Sequence, residues 1–176
     1  MKKIILLLVV HFVCSNAFCQ NIIFQDPFND PTFSPGWHTN TGNWQIVDLV
    51  QRGLKPPGGD NHFALTGSGN SSIQVDIPFI TKEKVIQVQL SLNYWIYYGS
   101  SGSISVDLLD KAGVVIAQSL SQVLLQKGKW DLFDQKFKVT SETFYIRVKL
   151  GGHINPMSSN SGSTVYFKNI MLSGKS

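Results

Sequence analysis

The side chains best suited to bind a ligand alternate along one predicted strand, at residues 85–98. Trp95 and Tyr97 share a face of this strand with the amides of Gln89 and Asn93, because strand side chains two residues apart point the same way. Sugars rest their C–H faces on exposed aromatic rings, while amides hydrogen-bond to the sugar hydroxyls. Rings and amides interleaved on one surface therefore predict a carbohydrate site.

A second predicted strand, at residues 144–150, extends this site if the two strands belong to the same sheet. Arg147 would then orient sugar hydroxyls beside Trp95. The alternative interpretation is structural, with Trp95 and Tyr97 tucked under a loop or turned toward the core after a bulge. Three other tryptophans are assigned to the core, since each stands where a turn meets a strand: Trp37, Trp44 and Trp130.

Side chains that could catalyse a reaction are sparse and isolated. Glu83 and Glu142 lack the spacing that places the acid and the nucleophile of a glycosidase on one strand. Three histidines have no metal motif, nucleophile-elbow serine or phosphate loop nearby: His38, His62 and His153. The sequence therefore predicts a protein that is not an enzyme.

The first 19 residues predict a secretory signal peptide. Lys2 and Lys3 precede an apolar run at residues 4–13, and small residues follow where signal peptidase cleaves. The run is about half of the roughly 20 residues that a membrane-spanning helix needs. Cys14 and Cys19 both lie in this segment, so the predicted mature chain has no thiol. The protein is expected outside the cell or on its surface.

Two alternatives for the exported chain are disfavoured. Lipid attachment at Cys14 or Cys19 needs a small residue just before the cysteine, and the sequence has the bulky Val13 and Phe18 there. Signal removal takes two of the 15 basic residues and none of the 11 acidic ones, and the remaining basic side chains are scattered. Without a basic stripe, nucleic acid is excluded as a partner.

Alternation of apolar and polar residues continues through most of the chain. It is clearest at residues 85–98, where apolar side chains occupy the even positions, and the length of this strand predicts a bulge within it. Asp131 and Asp134 lie outside the predicted strands and are assigned to a turn. Other strands are predicted at 22–26, 44–49, 62–66, 72–79, 104–108, 114–120, 144–150 and 165–172.

Turn-rich stretches separate these strands, and no segment has the pattern of an amphipathic helix. Many short strands with regular turns are typical of two antiparallel sheets packed face to face. We therefore predict an all-β fold for residues 20–176, a single two-sheet β-sandwich with jelly-roll topology of the galactose-binding or concanavalin-like kind.

The order of short sequence motifs along the chain points to a narrower group of proteins than the fold class does. An acidic and aromatic opening precedes a Pro-Gly-Trp turn, a short Trp strand, a Gly/Ser-rich segment, a long aromatic strand and an aromatic closing strand. These motifs lie at residues 24–30, 33–37, 42–46, 62–70, 90–95 and 165–170. The chain resembles the cleaved-adhesin and choice-of-anchor jelly rolls of secreted bacterial proteins, relatives of MAM domains and of several carbohydrate-binding modules.

This resemblance implies a structural calcium, with one departure. The closing strand of the family usually carries an aspartate where this sequence has Lys168. The implied oxygen ligands that remain are Asp26, Asp30, Asp60 and Asn169, and calcium takes about six to eight oxygens. The alternative is that the Lys168 ammonium replaces the metal and that the aspartates only cap turns.

Two functions from different classes follow from these observations. The first is a secreted, non-catalytic module that binds an extracellular glycan through Trp95, Tyr97, Gln89, Asn93 and Arg147. The second is an adhesin or structural sandwich at the cell surface that contacts a surface protein, or another copy of itself, without a sugar ligand.

Overall fold

Eleven strands make up the protein wherever the chain is described. The computed structural model describes residues 20–48, 62–66, 70–81, 85–96, 100–125, 128–154 and 165–175. The strands are β1 (Gln20–Asp26), β2 (Trp37–Thr41), β3 (Trp44–Asp48), β4 (His62–Thr66), β5 (Ser71–Pro78), β6 (Val85–Ile96), β7 (Ser100–Leu109), β8 (Val115–Leu124), β9 (Asp131–Thr140), β10 (Tyr145–Ile154) and β11 (Val165–Lys175).

The strands form two antiparallel sheets, which confirms the predicted all-β sandwich. The six-stranded sheet has the order β3-β4-β11-β6-β9, with β1 also paired to β11. The five-stranded sheet has the order β2-β5-β10-β7-β8. On one side of β11, residues Val165 to Phe167 pair with β4, and the stretch from Ile170 onward pairs with β1. The two short strands therefore meet beside Lys168 and Asn169.

The apolar residues of the predicted apolar–polar alternation form the core. Along β6 the even-numbered residues face the other sheet, and Val88, Leu90 and Leu92 are fully buried. Across the interior, β7 and β10 contribute Ile104, Val106, Ile146, Val148 and Leu150, which are also fully buried. Burying each such side chain contributes roughly 1.5–3 kcal/mol. The odd-numbered positions of β6, which carry the predicted ligand residues, therefore point away from the core.

Two edge strands, β2 and β9, are missing from the sequence-based prediction. The assignment of Asp131 and Asp134 to a turn is wrong, because both lie on β9, where Asp131 accepts a hydrogen bond of 2.9 Å from the Tyr94 hydroxyl. Phe133 and Phe137 do alternate toward the core. Charged residues between them hid the strand, since an edge strand keeps one face in water.

The bulge predicted within residues 85–98 does not lie on the described part of β6 but on the neighbouring strand β11. The described part of β6 pairs with β9 in an unbroken register from Val85 to Tyr94. The register shift lies on β11, where Asn169 adopts a φ of 54°. No helix among the described residues is long and apolar enough to span a membrane.

Candidate ligand-binding face

Aromatic side chains form a second, smaller cluster on the outer face of the six-stranded sheet. Tyr166 is buried there beneath Trp95, Trp130 and Val47, which are partly exposed. Trp95 lies directly opposite Tyr166 in the β6–β11 ladder. The indole rings of Trp95 and Trp130 meet edge to face, with centroids 6.1 Å apart and an interplanar angle of 83°. We call these four residues the outer aromatic cluster.

The tryptophan assignments are thereby partly corrected. Trp37 and Trp44 do pack against the main core, and Trp44 stacks on Phe167. The assignment of Trp130 to that core is wrong, because its ring packs on Trp95 on the opposite side of the sheet. Trp130 lies just before β9, a strand that the sequence analysis does not predict. Without that strand, the side of the sheet on which the Trp130 ring lies could not be predicted either.

A row of polar side chains continues the same face beyond the cluster. Asn93 lies two residues from Trp95 on β6, about 7 Å away along the strand. Its Oδ1 accepts a hydrogen bond of 3.1 Å from Asn169 Nδ2. Farther along β6, Gln89 Nε2 donates to Asp134 Oδ1 on the neighbouring β9. These cross-strand bonds hold the amides in place, and we call the four residues the polar row.

Arg147 does not join this face. Its strand, β10, belongs to the five-stranded sheet, and Arg147 points outward on the far side of the sandwich from Trp95. The guanidinium makes a bidentate pair with Asp76, with Nε and Nη2 donating over 2.7 and 2.8 Å. The hydrogen bond with Asp76 raises the pKa of Arg147, and burial opposes the rise. The expectation that Arg147 shares a site with Trp95 is wrong.

The predicted residues therefore divide into three groups. Trp95, Asn93 and Gln89 share one face, Arg147 lies on the opposite face, and Tyr97 lies outside the described residues. Sequence reasoning missed Trp130, Tyr166, Asp134 and the pairing role of Asn169. One signal was available for Tyr166, which stands between the inward Val165 and Phe167 and so had to face outward.

His153 is less isolated than the sequence suggests. Its Nε2 lies 3.1 Å from Ser103 Oγ, and its Nδ1 lies 3.2 Å from Asn70 Oδ1. This order is that of a nucleophile, a base and an orienting group. Ser103, however, lies on β7, which pairs with strands on both sides, so its ladder occupies the backbone N–H groups that an oxyanion hole would need. The contact ties the ends of β5, β7 and β10 together.

The residues implied for calcium are not arranged as a cation site where the chain is described. Asp26 is buried, and its carboxylate accepts hydrogen bonds of 2.9 Å from Phe28 N and from Trp37 Nε1. Asp30 is exposed, and the Asn169 side chain bonds to Asn93. Asp60 lies outside the described residues. Among the residues that are described, no three His, Cys, Asp or Glu side chains are placed to hold a metal.

The Lys168 ammonium lies where β1 and β4 meet beside β11. The side chain is 1% exposed, and Nζ donates to the carbonyl oxygen of His62 and, over 3.3 Å, to Asn29 Oδ1. Oxygens of these kinds are the ligands that calcium prefers. A positive group already contacts them, so the described oxygens do not fit a calcium ion.

Chelation is accordingly expected to leave the melting temperature of the wild-type protein unchanged. The reason is that the Lys168 ammonium is a covalent part of the chain and is not removed by EDTA. Differential scanning fluorimetry in EDTA and in excess calcium chloride measures the difference. A higher melting temperature in calcium would contradict this expectation. It would make Asp60, the implied calcium ligand outside the described residues, the next residue to test.

Comparison with solved structures places the fold among jelly rolls. The carbohydrate-binding module TmCBM61, solved with β-1,4-galactotriose, is 13% identical, with a TM-score of 0.58 over 86% of this chain and 97% of that one. The CBM22-1 xylan-binding domain of Xyn10C from Paenibacillus barcinonensis is 12% identical, with a TM-score of 0.56 over 89% and 96%. The K1 cleaved adhesin domain of Lys-gingipain from Porphyromonas gingivalis W83 is 11% identical, with a TM-score of 0.53 over 85% and 96%.

A longer protein shares the same fold over a small part of its length. The chain spans 20% of the enzymatically active domain of tailspike protein 4 from bacteriophage CBA120, with a TM-score of 0.65 and 10% identity. No protein-family model matches this sequence, and no curated protein matches it significantly. The predicted jelly-roll sandwich is confirmed, and the chain has the fold of carbohydrate-binding modules and of an adhesin domain.

Proposed function

We propose that this protein is a secreted, non-catalytic module that binds carbohydrate on the outer face of its six-stranded sheet. The observation that carries the proposal is the outer aromatic cluster, which lies next to the polar row on one surface. Residues 1–19 direct export and are removed. The folds shared with two carbohydrate-binding modules support a binding role.

The rings are held in place before a ligand arrives. Trp95 rests against buried Tyr166 and meets the Trp130 ring edge to face, so stacking a sugar on the Trp95 indole costs little additional ordering. Asn93 uses its Oδ1 to accept from Asn169, which leaves its amide nitrogen able to donate to a sugar hydroxyl. One sugar ring on Trp95 would lie within reach of that amide.

Contact with a surface protein is the second candidate function. Leu132 lies opposite Asn93 in the β6–β9 ladder and is 59% exposed on this same face. An exposed leucine beside an aromatic cluster suits a protein partner, whose interface centres are more apolar than a sugar. The fold shared with an adhesin domain is consistent with this alternative.

Substituting Trp95→Ala is expected to weaken glycan binding by at least about tenfold, because a central tryptophan commonly dominates the energy of an interface. A glycan array identifies the ligand, and isothermal titration calorimetry with that glycan measures the change in Kd. Tyr145→Ala is the matched control, since it removes a half-buried ring from the opposite sheet. Circular dichroism establishes that both variants are folded.

The outcomes separate the candidates. A folded wild-type protein that binds no glycan on the array removes the carbohydrate proposal. A loss of binding in Tyr145→Ala but not in Trp95→Ala would move the site to the five-stranded sheet. Sequencing the N-terminus of the exported protein tests the export step, for which Gln20 is the expected first residue.

A further inference from the structure

Two exposed lysines extend the outer face of the six-stranded sheet beyond the polar row. Lys136 and Lys138 on β9 lie directly opposite Gln89 and Gln87 of β6. Residues directly opposed in an antiparallel ladder point to the same side of the sheet, and the register between β6 and β9 is unbroken. Both lysines therefore lie on the face that carries Trp95.

This face is positively charged at the end that lies away from the rings. The charged side chains that the described strands place on it are Asp134, Lys136, Lys138 and the buried Lys168. Asp134, the one acid among them, already accepts a hydrogen bond from Gln89 Nε2. In the part of the chain that the structure describes, neither Lys136 nor Lys138 has a carboxylate within ion-pairing distance.

The basic side chains of the opposite sheet have partners within the protein. Arg147 makes its bidentate pair with Asp76, and the Lys149 ammonium lies 3.8 Å from Asp107 Oδ2. Protection of an edge strand calls for charge but not for one sign of charge. Two neighbouring lysines on one face, without an ion pair to a described carboxylate, therefore favour an anion from outside the protein.

The distance between the rings and the lysines sets the length of the ligand. Trp95 lies six residues from Gln89 and eight from Gln87 on β6, which corresponds to about 20 and 27 Å along the strand. Asn93 and Ser91 fill the positions between them and are partly exposed. A single sugar stacked on Trp95 does not reach the lysines. A chain of several linked sugars, lying along β6, does.

We propose that the ligand of this face is an acidic polysaccharide. One sugar stacks on Trp95, and carboxylate or sulfate groups farther along the same chain lie beside Lys136 and Lys138. The inference rests on the carbohydrate-binding function proposed above and names the class of its ligand. Single-stranded nucleic acid fits less well, because its successive bases stack on successive rings, and the described rings of this face lie at one end only.

Matched acidic and neutral oligosaccharides test the class of ligand. The carboxylate probes are oligogalacturonate and oligoalginate, each compared with its methyl ester, which keeps the sugar chain and removes only the charge. The sulfate probe is dextran sulfate, compared with dextran. Isothermal titration calorimetry measures each Kd. We expect an acidic probe to bind at least about fivefold more tightly than its neutral form at low salt, and the difference to shrink in concentrated sodium chloride.

Substitution of the lysines tests where the acidic groups lie. Lys136→Gln combined with Lys138→Gln is expected to weaken binding of the acidic probe at least about fivefold and to leave binding of its neutral form unchanged. Lys111→Gln combined with Lys149→Gln is the matched control. It removes the same amount of charge from β10 and from the turn after β7, and should bind like the wild type. Circular dichroism establishes that both double variants are folded.

The outcomes distinguish this inference from the proposed function. Equal affinity for the acidic and neutral forms, or an unchanged Kd after substitution of Lys136 and Lys138, overturns the acidic ligand and leaves a neutral glycan on Trp95. An equal loss in both double variants shows unspecific attraction and also overturns it, as does equally tight binding of oligothymidylate. A protein that binds no glycan at all removes the proposed function together with this inference.

Discussion

Replacing Lys168 with alanine is expected to lower the free energy of unfolding by about 3 kcal/mol. The ammonium joins three segments, because it extends from β11 to Asn29, in the connection after β1, and to the carbonyl of His62, at the start of β4. Alanine leaves that carbonyl without this donor and leaves a cavity along the lysine stem. Relief from burying a charge offsets only part of the loss.

A second variant separates the charge from the stem. Lys168→Met refills most of the space and removes only the ammonium, so its loss of stability should lie between zero and the alanine value. Urea unfolding followed by tryptophan fluorescence measures both variants. A loss below about 1 kcal/mol in Lys168→Ala, the size of an ordinary substitution, would show that the ammonium does not join the three segments.

The faces of individual strands were predictable from the sequence, because alternation is a local property. The odd positions of β6, including Trp95, Asn93 and Gln89, point outward as expected. The same rule applies to β10, where Ile146, Val148 and Leu150 are buried. Each strand carries this information in its own residues, independently of its neighbours.

Sheet membership was not predictable, because it depends on pairing between distant parts of the chain. β10 and β6 have the same alternation, yet they belong to different sheets, and Arg147 is thereby separated from Trp95. The edge strand β9 escaped prediction for a related reason, since the charges that protect its edge resemble those of a turn. Trp130, which precedes β9, was consequently assigned to the wrong side of the sheet.

The role of Lys168 was only partly predictable from the sequence. A lysine on the outward side of a strand is ordinarily solvated. Here the ends of β1 and β4 meet beside it, and the connection after β1 brings Asn29 to its ammonium. Burial of this side chain follows from three segments that are distant in sequence, which no local pattern records.

Replacing Asp26 with alanine is the second change expected to cost about 3 kcal/mol. Asp26 ends β1, is 2% exposed and accepts from two donors, the backbone N–H of Phe28 and the indole N–H of Trp37. Alanine leaves both donors without this acceptor in a mostly buried setting. Each lost partner costs roughly 1–3 kcal/mol, and the two effects act on the same connection between the sheets.

The Asp26 carboxylate also fixes an unusual backbone conformation at Phe28. Phe28 is buried with a φ of 56°, a conformation that a residue with a side chain adopts only when its surroundings hold it. The Asp26 bond to its N–H fixes that conformation, which turns the Phe28 ring against Phe33 and Trp37, with centroids 5.8 and 5.5 Å away. Trp37 belongs to β2 in the other sheet, so one carboxylate orients rings that close the end of the sandwich.

Asp26→Asn is the matched variant, because the amide keeps one acceptor oxygen and nearly the same volume. It retains a bond to Phe28 or to Trp37 but not to both, so we expect about half of the alanine loss. Urea unfolding gives the free energies, and the fluorescence of the folded state reports on the Trp37 indole. Equal stability of Asp26→Asn and the wild type would mean that only one of the two bonds contributes. A wild-type value for Asp26→Ala would instead assign the Phe28 conformation to ring packing alone.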